Sequence, residues 1–276
     1  MSEKYLFFDM DGTLISRKER RIPQSAIDGI TRAMKNGHRC FICTGRGYSM
    51  AQEFFDQLEF PGIVFSNGAG IAYNGEILET RNIHPSTVER LQNICEGLGG
   101  GYGLLTTTYT YQNEKERERM GKHFLMREPG RDVNEYYERR GMKRMDDYQH
   151  ESVQKMDFSF QSELTADIFF SRVPESLNTV VGGGYYKTAG RTGGEITASG
   201  VNKGTGIEHV LKMFSADVKD AYGFGDSSND LEMLKVVGNS VAMGNGSDDV
   251  KQVADYITDD VDEDGLYNAL KHFELI

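Results

Sequence analysis

At 276 residues and 38% hydrophobic content, the chain is long enough for about two domains and can bury a sizeable core. A net charge of −11 argues against a nucleic-acid partner, which would be held through clustered Lys and Arg, and no apolar run approaches the roughly 18 residues of a membrane-spanning helix. Three cysteines and no basic-then-apolar leader pattern predict a soluble protein of the reducing cytoplasm, without a disulfide framework.

Taken in chain order, Tyr5 to Phe8 reads as a short buried strand and Pro23 to Asn36 as a helix, opened by Pro and closed before Gly37. Cys40 to Cys43 predicts a second strand, Ser49 to Leu58 a second helix and Ile63 to Phe65 a third strand, bounded by Gly or Pro. Strand alternating with helix implies a parallel sheet covered on both faces. The Asn74-Gly75 turn signal then joins Ile71-Ala72-Tyr73 to Glu76-Ile77-Leu78 as a hairpin.

The rhythm changes beyond this point. Pro85 to Gly97 reads as helix, Tyr102 to Tyr111 as one Thr- and Tyr-rich strand, Glu114 to Phe124 as a charged helix and Arg131 to Arg140 as another. Lys155 to Phe160, Ile168 to Phe170 and Thr179 to Lys187 read as strands, the last broken by Gly182-Gly183-Gly184. Alternation resumes at Asn202: helix to Phe214, strand Ala221 to Phe224, helix from Asn229, strand Ser240 to Met243, helix Ser247 to Ala254, strand Tyr256 to Thr258, and a last helix to Phe273. Residues 81–190 carry 15 Lys and Arg against 16 Asp and Glu, while the rest carry 16 against 26. Rhythm and charge together predict a doubly wound, Rossmann-like α/β core (1–83 and 190–276) interrupted by an inserted α+β domain (84–189).

In an open parallel sheet, ligands lie beyond the carboxyl ends of the strands. Four stretches at or near such ends carry chemistry: Asp9-Met10-Asp11-Gly12-Thr13, Thr44-Gly45-Arg46, Asn202-Lys203-Gly204 and Gly225-Asp226-Ser227-Ser228-Asn229-Asp230. Singly, each has a plainer reading as an Asx turn, a helix cap or first-turn acids. Jointly, Asp9, Asp11 and Asp226 would repel one another severely unless a hard, oxygen-preferring cation such as Mg²⁺ neutralised them, and Mg²⁺ characteristically shares its shell with substrate phosphate. One carboxylate can attack phosphorus while a second, two residues on, trades a proton with the leaving oxygen and then with water. Gly12 permits close backbone approach, Thr13 and Thr44 offer hydroxyl donors, and Lys203 offers a point charge.

The ordered set D-x-D-G-T, T-G-R, the Lys of "VNKGTGI" and G-D-x-x-N-D resembles the haloacid dehalogenase-like phosphatases, specifically the Cof-type group (subfamily IIB) with a large cap between the second and third motifs. The resemblance spans almost the whole chain. It implies Asp9 as nucleophile and Asp11 as general acid/base, with Mg²⁺ held by the Asp9 and Asp226 carboxylates and the Asp11 main-chain carbonyl. Asp230 would support that metal shell. Thr13, Thr44 and Lys203 would bind the phosphoryl group, Asn229 phosphate or a metal-bound water, and Gly45, Arg46 and Asn67 are candidate substrate contacts. The implied partner is a small phosphorylated metabolite, such as a sugar phosphate. Ser227 stands where many relatives carry Gly. A phosphomutase would use the same aspartyl chemistry, and a phosphometabolite-binding regulatory protein could keep the same pocket.

Other patterns favour structural readings. Cys40 and Cys43 form C-x-x-C inside a strand, where positions three apart face opposite sides. Asp260 to Gly265 starts like a calcium loop, but its twelfth position is Lys271 rather than Glu. The run Glu114 to Arg119 reads as a solvated helix face, and His123, Arg127 and Tyr185 as surface or core of the insert. No oligomeric state is assigned from the pattern.

Overall fold

In the computed structural model, which describes residues 2–181 and 192–276, Tyr5-Leu6-Phe7-Phe8 form β1 (Tyr5–Phe8), a strand buried on both faces. There follow α1 (Gln24–Lys35), β2 (Arg39–Cys43), α2 (Tyr48–Ala51), β3 (Gly62–Phe65), β4 (Gly70–Tyr73) and β5 (Glu76–Thr80). The middle of the chain adds α3 (Pro85–Gly97), β6 (Gly101–Leu105), β7 (Thr110–Gln112), α4 (Glu114–Arg127), α5 (Val133–Arg139), β8 (Met142–Arg144), β9 (Lys155–Ser159), α6 (Glu163–Phe170), β10 (Leu177–Val181) and β11 (Gly193–Ala198). The chain closes with α7 (Lys203–Met213), β12 (Ala221–Gly225), α8 (Leu231–Val236), β13 (Asn239–Ala242), α9 (Asp248–Val253), β14 (Tyr256–Ile257) and α10 (Gly265–His272).

The residues divide into two compact units, Met1–Gly45 with Phe54–Glu79 and Asn202–Ile276, and Arg46–Glu53 with Thr80–Val201. The first unit holds an eight-stranded sheet in the order β14-β13-β12-β1-β2-β3-β4-β5, parallel from β14 to β3 and antiparallel between β3 and β4. Both faces are apolar, as expected of strands sandwiched between helices. Phe7 stacks on Phe41 at 5.1 Å between ring centroids, while its neighbour Phe8, pointing the other way, stacks on Phe224 at 4.7 Å. Helix α1 buries Ala26, Gly29, Ile30 and Ala33, a three-to-four residue spacing, and Gly29 lets it lie close against Tyr267 and Leu270 of α10. Asn74 and Gly75 both have positive φ, the geometry of the tight hairpin turn that joins β4 to β5.

The second unit holds a six-stranded sheet, β10-β11-β9-β6-β7-β8, antiparallel except between β7 and β8. One face, with Tyr102, Leu104, Tyr111, Met156, Phe158 and Ile196, packs with residues of α3 and α6.

Several expectations are corrected. The expected strand Ile168 to Phe170 is the end of α6, capped by the Ser162 hydroxyl accepting from Thr165 N–H, with Ala166 and Phe169 buried three residues apart. Tyr102 to Tyr111 is a hairpin, β6 and β7, because Thr106 Oγ1 accepts from the N–H groups of Thr108 and Tyr109 and turns the chain. The helix expected over Ser49 to Leu58 stops after one turn, at Ala51. The charge run is not wholly solvated: Glu116 is buried, accepting from Ser159 Oγ at 2.7 Å and from Arg119. The unit boundaries also differ from 83/84 and 189/190, since β11 pairs with β9 and β10, and residues 46–53 group with the insert. The glycines 182–184, Tyr185 and the predicted boundary at 189/190 lie outside the described residues.

Candidate active site

Strand β1 lies between β2 and β12, and the chain winds outward from it in both directions, through β2 and β3 on one side and β12 and β13 on the other. The carboxyl end of β1 is therefore the sheet's switch point, where the crossovers diverge and leave a crevice. Asp9 is the residue after β1, Thr44 the residue after β2 and Asp226 the residue after β12. The ladder carries Asp9 and Thr44 with it: Asp9 N–H donates to Phe224 O at 3.0 Å and Thr44 N–H to Val64 O at 2.8 Å.

Lys203 reaches this crevice from the first turn of α7. Asn202 caps that helix, its side chain accepting from Thr205 N–H while the Thr205 hydroxyl accepts from Asn202 N–H. The ammonium is 1% exposed and donates to Asp9 Oδ1 at 2.5 Å and Asp230 Oδ1 at 2.6 Å. The other Asp230 oxygen accepts from the N–H groups of Asp226 and Ser227, each at 3.0 Å, so Asp230 joins the lysine to the loop after β12. Burial raises the Asp9 carboxyl to about 6, helped by the charge of Asp230 and opposed by Lys203; the two carboxylates hold Lys203 well above its usual value despite burial.

The loop after β1 folds on itself. Gly12 adopts φ of 102°, its N–H donating to Ile15 O, and a side chain there would strike Arg17 and Asp226 Oδ2 at 2.6 Å. Arg17 donates to the Asp11 main-chain carbonyl at 2.9 Å and to Asp226 Oδ2 at 2.6 Å. A cationic group thus bridges the main-chain carbonyl and carboxylate expected to hold a metal. Among the described residues the remaining Asp226 oxygen is buried with no hydrogen-bond partner, and ligand atoms of Asp9, Asp226 and Asp230 lie within 4.8 Å of one another. Burial, then Asp9 and Asp230, push Asp226 up to about 7. An all-oxygen donor set, an orphaned carboxylate oxygen and a guanidinium standing in for a cation fit a hard divalent ion.

Thr13 is fully buried and its hydroxyl has no partner among the described residues, whereas Asp11 is exposed. The Ser227 hydroxyl donates to Asn229 Oδ1 at 2.5 Å. Asn67 lies in a turn where Ser66, Asn67 and Gly68 all have positive φ; its N–H donates to Thr44 O, and its side chain would touch any Cβ on Gly45 at 2.7 Å. Gly68 approaches Asn202 O so closely that a Cβ would lie 2.1 Å away, which seats this turn against the start of α7. Arg46 belongs to the second unit, paired with Glu53 at 2.8 Å.

Two residues at this site escaped the sequence analysis. Arg17 sits in the basic run Arg17-Lys18-Glu19-Arg20-Arg21, which has the composition of a surface loop. Asn245 follows β13, donates to Gly12 O at 2.7 Å and accepts from Val261 N–H, bracing the loop after β1. Its signal was available: Gly244-Asn245-Gly246 is a further polar loop after a parallel strand.

A family model for haloacid dehalogenase-like hydrolase matches residues 6–270. The 5-amino-6-(5-phospho-D-ribitylamino)uracil phosphatase YcsE of Bacillus subtilis is 26% identical over 274 residues, 99% of this chain and 96% of that protein. Among solved structures, the HAD subclass IIB sugar phosphatase BT4131 is 28% identical with a TM-score of 0.79, covering 99% of this chain and 100% of that one. The HAD phosphatase BT1666 from Bacteroides thetaiotaomicron is 26% identical with a TM-score of 0.78, over 99% and 96%.

Proposed function

The chain belongs to the haloacid dehalogenase-like hydrolases and is a phosphatase; we propose that it is Mg²⁺-dependent and hydrolyses a small phosphorylated metabolite, such as a sugar phosphate, through an aspartyl phosphate on Asp9. The observation that carries this reading is the buried contact of Lys203 with Asp9 at the sheet's switch point, beside an exposed carboxylate two residues on.

Asp9 would attack phosphorus as the bond to the leaving oxygen breaks. Its orientation comes from β1, and its Oδ1 contact with Lys203 favours the ionised form that attack requires. Asp11, in the solvent-facing position, would give its proton to the departing oxygen and then take one from the water that attacks phosphorus. That second attack breaks the bond to Asp9 and releases phosphate. The Thr13 hydroxyl, Thr44 and Lys203 are the proposed phosphoryl contacts, where charge spreads over the equatorial oxygens in the transition state. Asn229 would contact phosphate or a metal-bound water, and Gly45 and Asn67 are the proposed substrate contacts. A divalent ion would be held by Asp9, Asp226 and the Asp11 carbonyl, with Asp230 as support. When bound, it supplies positive charge that lets the carboxylates stay ionised near a dianionic ester.

Phosphate release from a panel of phosphate esters with Mg²⁺ tests the reading. Asp9→Asn is expected to reduce turnover to background in a protein with an unchanged circular-dichroism spectrum; normal phosphate release from that variant would refute the mechanism. Isomer formation from a hexose phosphate in place of free phosphate would instead identify a mutase.

A further inference from the structure

The stretch Asn202-Lys203-Gly204-Thr205-Gly206 puts glycine at the second and fourth positions of α7, although glycine is among the poorest helix formers. Packing accounts for both. A Cβ on Gly206 would lie 2.7 Å from Val64 Cγ1 of β3 and 2.8 Å from Gly68 Cα, while a Cβ on Gly204 would lie 2.4 Å from Glu232 O of α8. Two residues apart on a helix, these glycines face nearly opposite directions. The first turn of α7, which carries Lys203, is therefore wedged between the turn after β3 and the start of α8.

The turn after β3 is itself held from outside. Ser66 and Asn67 have φ of 51° and 57°, a region side chains seldom occupy, and Gly68 has φ of 91°. The Ser66 hydroxyl, fully buried, has no partner among the described residues. What fixes the turn is its neighbours. Asn67 N–H donates to Thr44 O at 3.0 Å on one flank, and Gly68 presses on Asn202 O and Gly206 on the other. Carbon atoms pack at about 3.5–4.0 Å, so a side chain between Gly68 and Gly206 would part them by roughly 0.7 Å or more. The helix cannot yield without moving Lys203, nor the turn without moving Thr44.

We infer that the turn Ser66-Asn67-Gly68, with Gly204 and Gly206, is a positioning device that sets Thr44 and Lys203 at one fixed spacing. This rests on the proposed function in taking those two residues as the phosphoryl contacts. The device acts through main-chain approach alone, so its members are positioning residues that touch neither substrate nor reacting atoms in this role.

Two measurements test it. The Lys203 ammonium, buried and bonded to two carboxylates, should give a slowly exchanging nitrogen–proton NMR signal, assigned by its loss in Lys203→Met, and Gly206→Ala should shift or broaden it. Alanine is the better helix former, so this variant acts through the wedge and not through helix propensity. In turnover, Gly206→Ala and Gly68→Ala should lose about ten- to hundredfold in kcat, the cost of an ångström-scale misplacement, with KM changed less than about threefold. Gly37→Ala is the control. Gly37 has φ of 90°, close to that of Gly68, but a Cβ there meets nothing within 4 Å, so it brings the strain without the wedge. It should keep the parent's Lys203 signal and kcat.

An unmoved Lys203 signal in Gly206→Ala, an unchanged kcat in that variant, or equal losses in Gly37→Ala would overturn the assignment. Loss of the fold in both wedge variants would overturn it too, by making the glycines packing residues only. A moved signal in a protein that releases no phosphate from any ester in an Asp9-dependent way would uphold the device for Lys203 and sink the phosphatase reading instead.

Discussion

Lys203 and Asp9, 194 positions apart in sequence, meet at 2.5 Å in a buried contact at the centre of the first unit. The same ammonium holds Asp230, so one side chain balances two buried carboxylates. Lys203→Met would leave both without their counter-charge. Breaking a buried pair by removing one partner costs about 3–5 kcal/mol, and urea unfolding should show a loss of that size together with lost phosphate turnover. A variant as stable as the parent would mean that the carboxylates are neutral in the resting protein.

Arg17 occupies two of the oxygens expected of a metal site, and its side chain is 58% exposed. Guanidinium and metal would compete for those oxygens, so Arg17 is expected to oppose the binding of an ion there. Arg17→Ala is expected to tighten Mg²⁺ binding about two- to fivefold by titration calorimetry, the worth of a partly exposed ion pair of about 0.5–1 kcal/mol. In the same experiment Asp226→Asn should abolish the Mg²⁺ heat. Weaker binding after Arg17→Ala would make the arginine a partner of the bound state rather than a competitor.

How much of this was legible beforehand follows from the range of the forces involved. The core's strands and the motif positions were legible because buried parallel strands are continuous apolar runs, and the candidate site residues Asp9, Thr44 and Asp226 each come one residue past such a run. The contacts of Arg17 were not legible, because a basic loop has the same composition whether it points into water or onto Asp226.

The insert was less legible. Its helix α6 ends in Ile168-Phe169-Phe170, an apolar triplet that period alone cannot assign, and the cap at Ser162 decides for helix. Glu116 looked solvated because it lies among five other charges, yet the Ser159 hydroxyl and Arg119 satisfy it in a buried position. The boundary after Gly45 depended on contacts that close only in three dimensions: Glu53 is gripped by Arg46 and by Arg140, 87 residues away.

His38 gives the first unit a pH dependence independent of the active site. It is buried, its Nδ1 accepts from Lys4 N–H at 3.2 Å, and burial followed by the nearby Lys4 charge lowers its pKa below 6.5. The unfolded chain therefore binds this proton at higher pH than the folded one. Stability from this group is complete above about 6.5 and declines as pH falls from there toward the depressed folded value. His38→Asn keeps an acceptor for Lys4 N–H without titrating in this range, so urea midpoints measured between pH 7.5 and 5.5 should fall less for the variant than for the parent. Parallel curves would show that His38 has the same proton affinity in both states.

Asp9 and Asp11 are two residues apart and sit in opposite surroundings, one buried against Lys203 and the other facing solvent. If they share the work as nucleophile and proton carrier, removing each should leave a different kinetic signature. Asp11→Asn keeps the attacking carboxylate and loses the proton donor, so its cost depends on how much the leaving oxygen needs a proton. An alkyl phosphate, whose alkoxide is a poor leaving group, should lose about 10²–10⁴-fold in kcat, the usual worth of general acid–base catalysis. A p-nitrophenyl ester departs as a stable phenolate and should lose much less in its first turnover. Because Asp11 also activates the water, the aspartyl phosphate should then accumulate, giving a burst of p-nitrophenol followed by slow steady release. Equal losses for both esters, with no burst, would remove Asp11 from the proton-transfer role and leave it as a provider of its main-chain carbonyl alone.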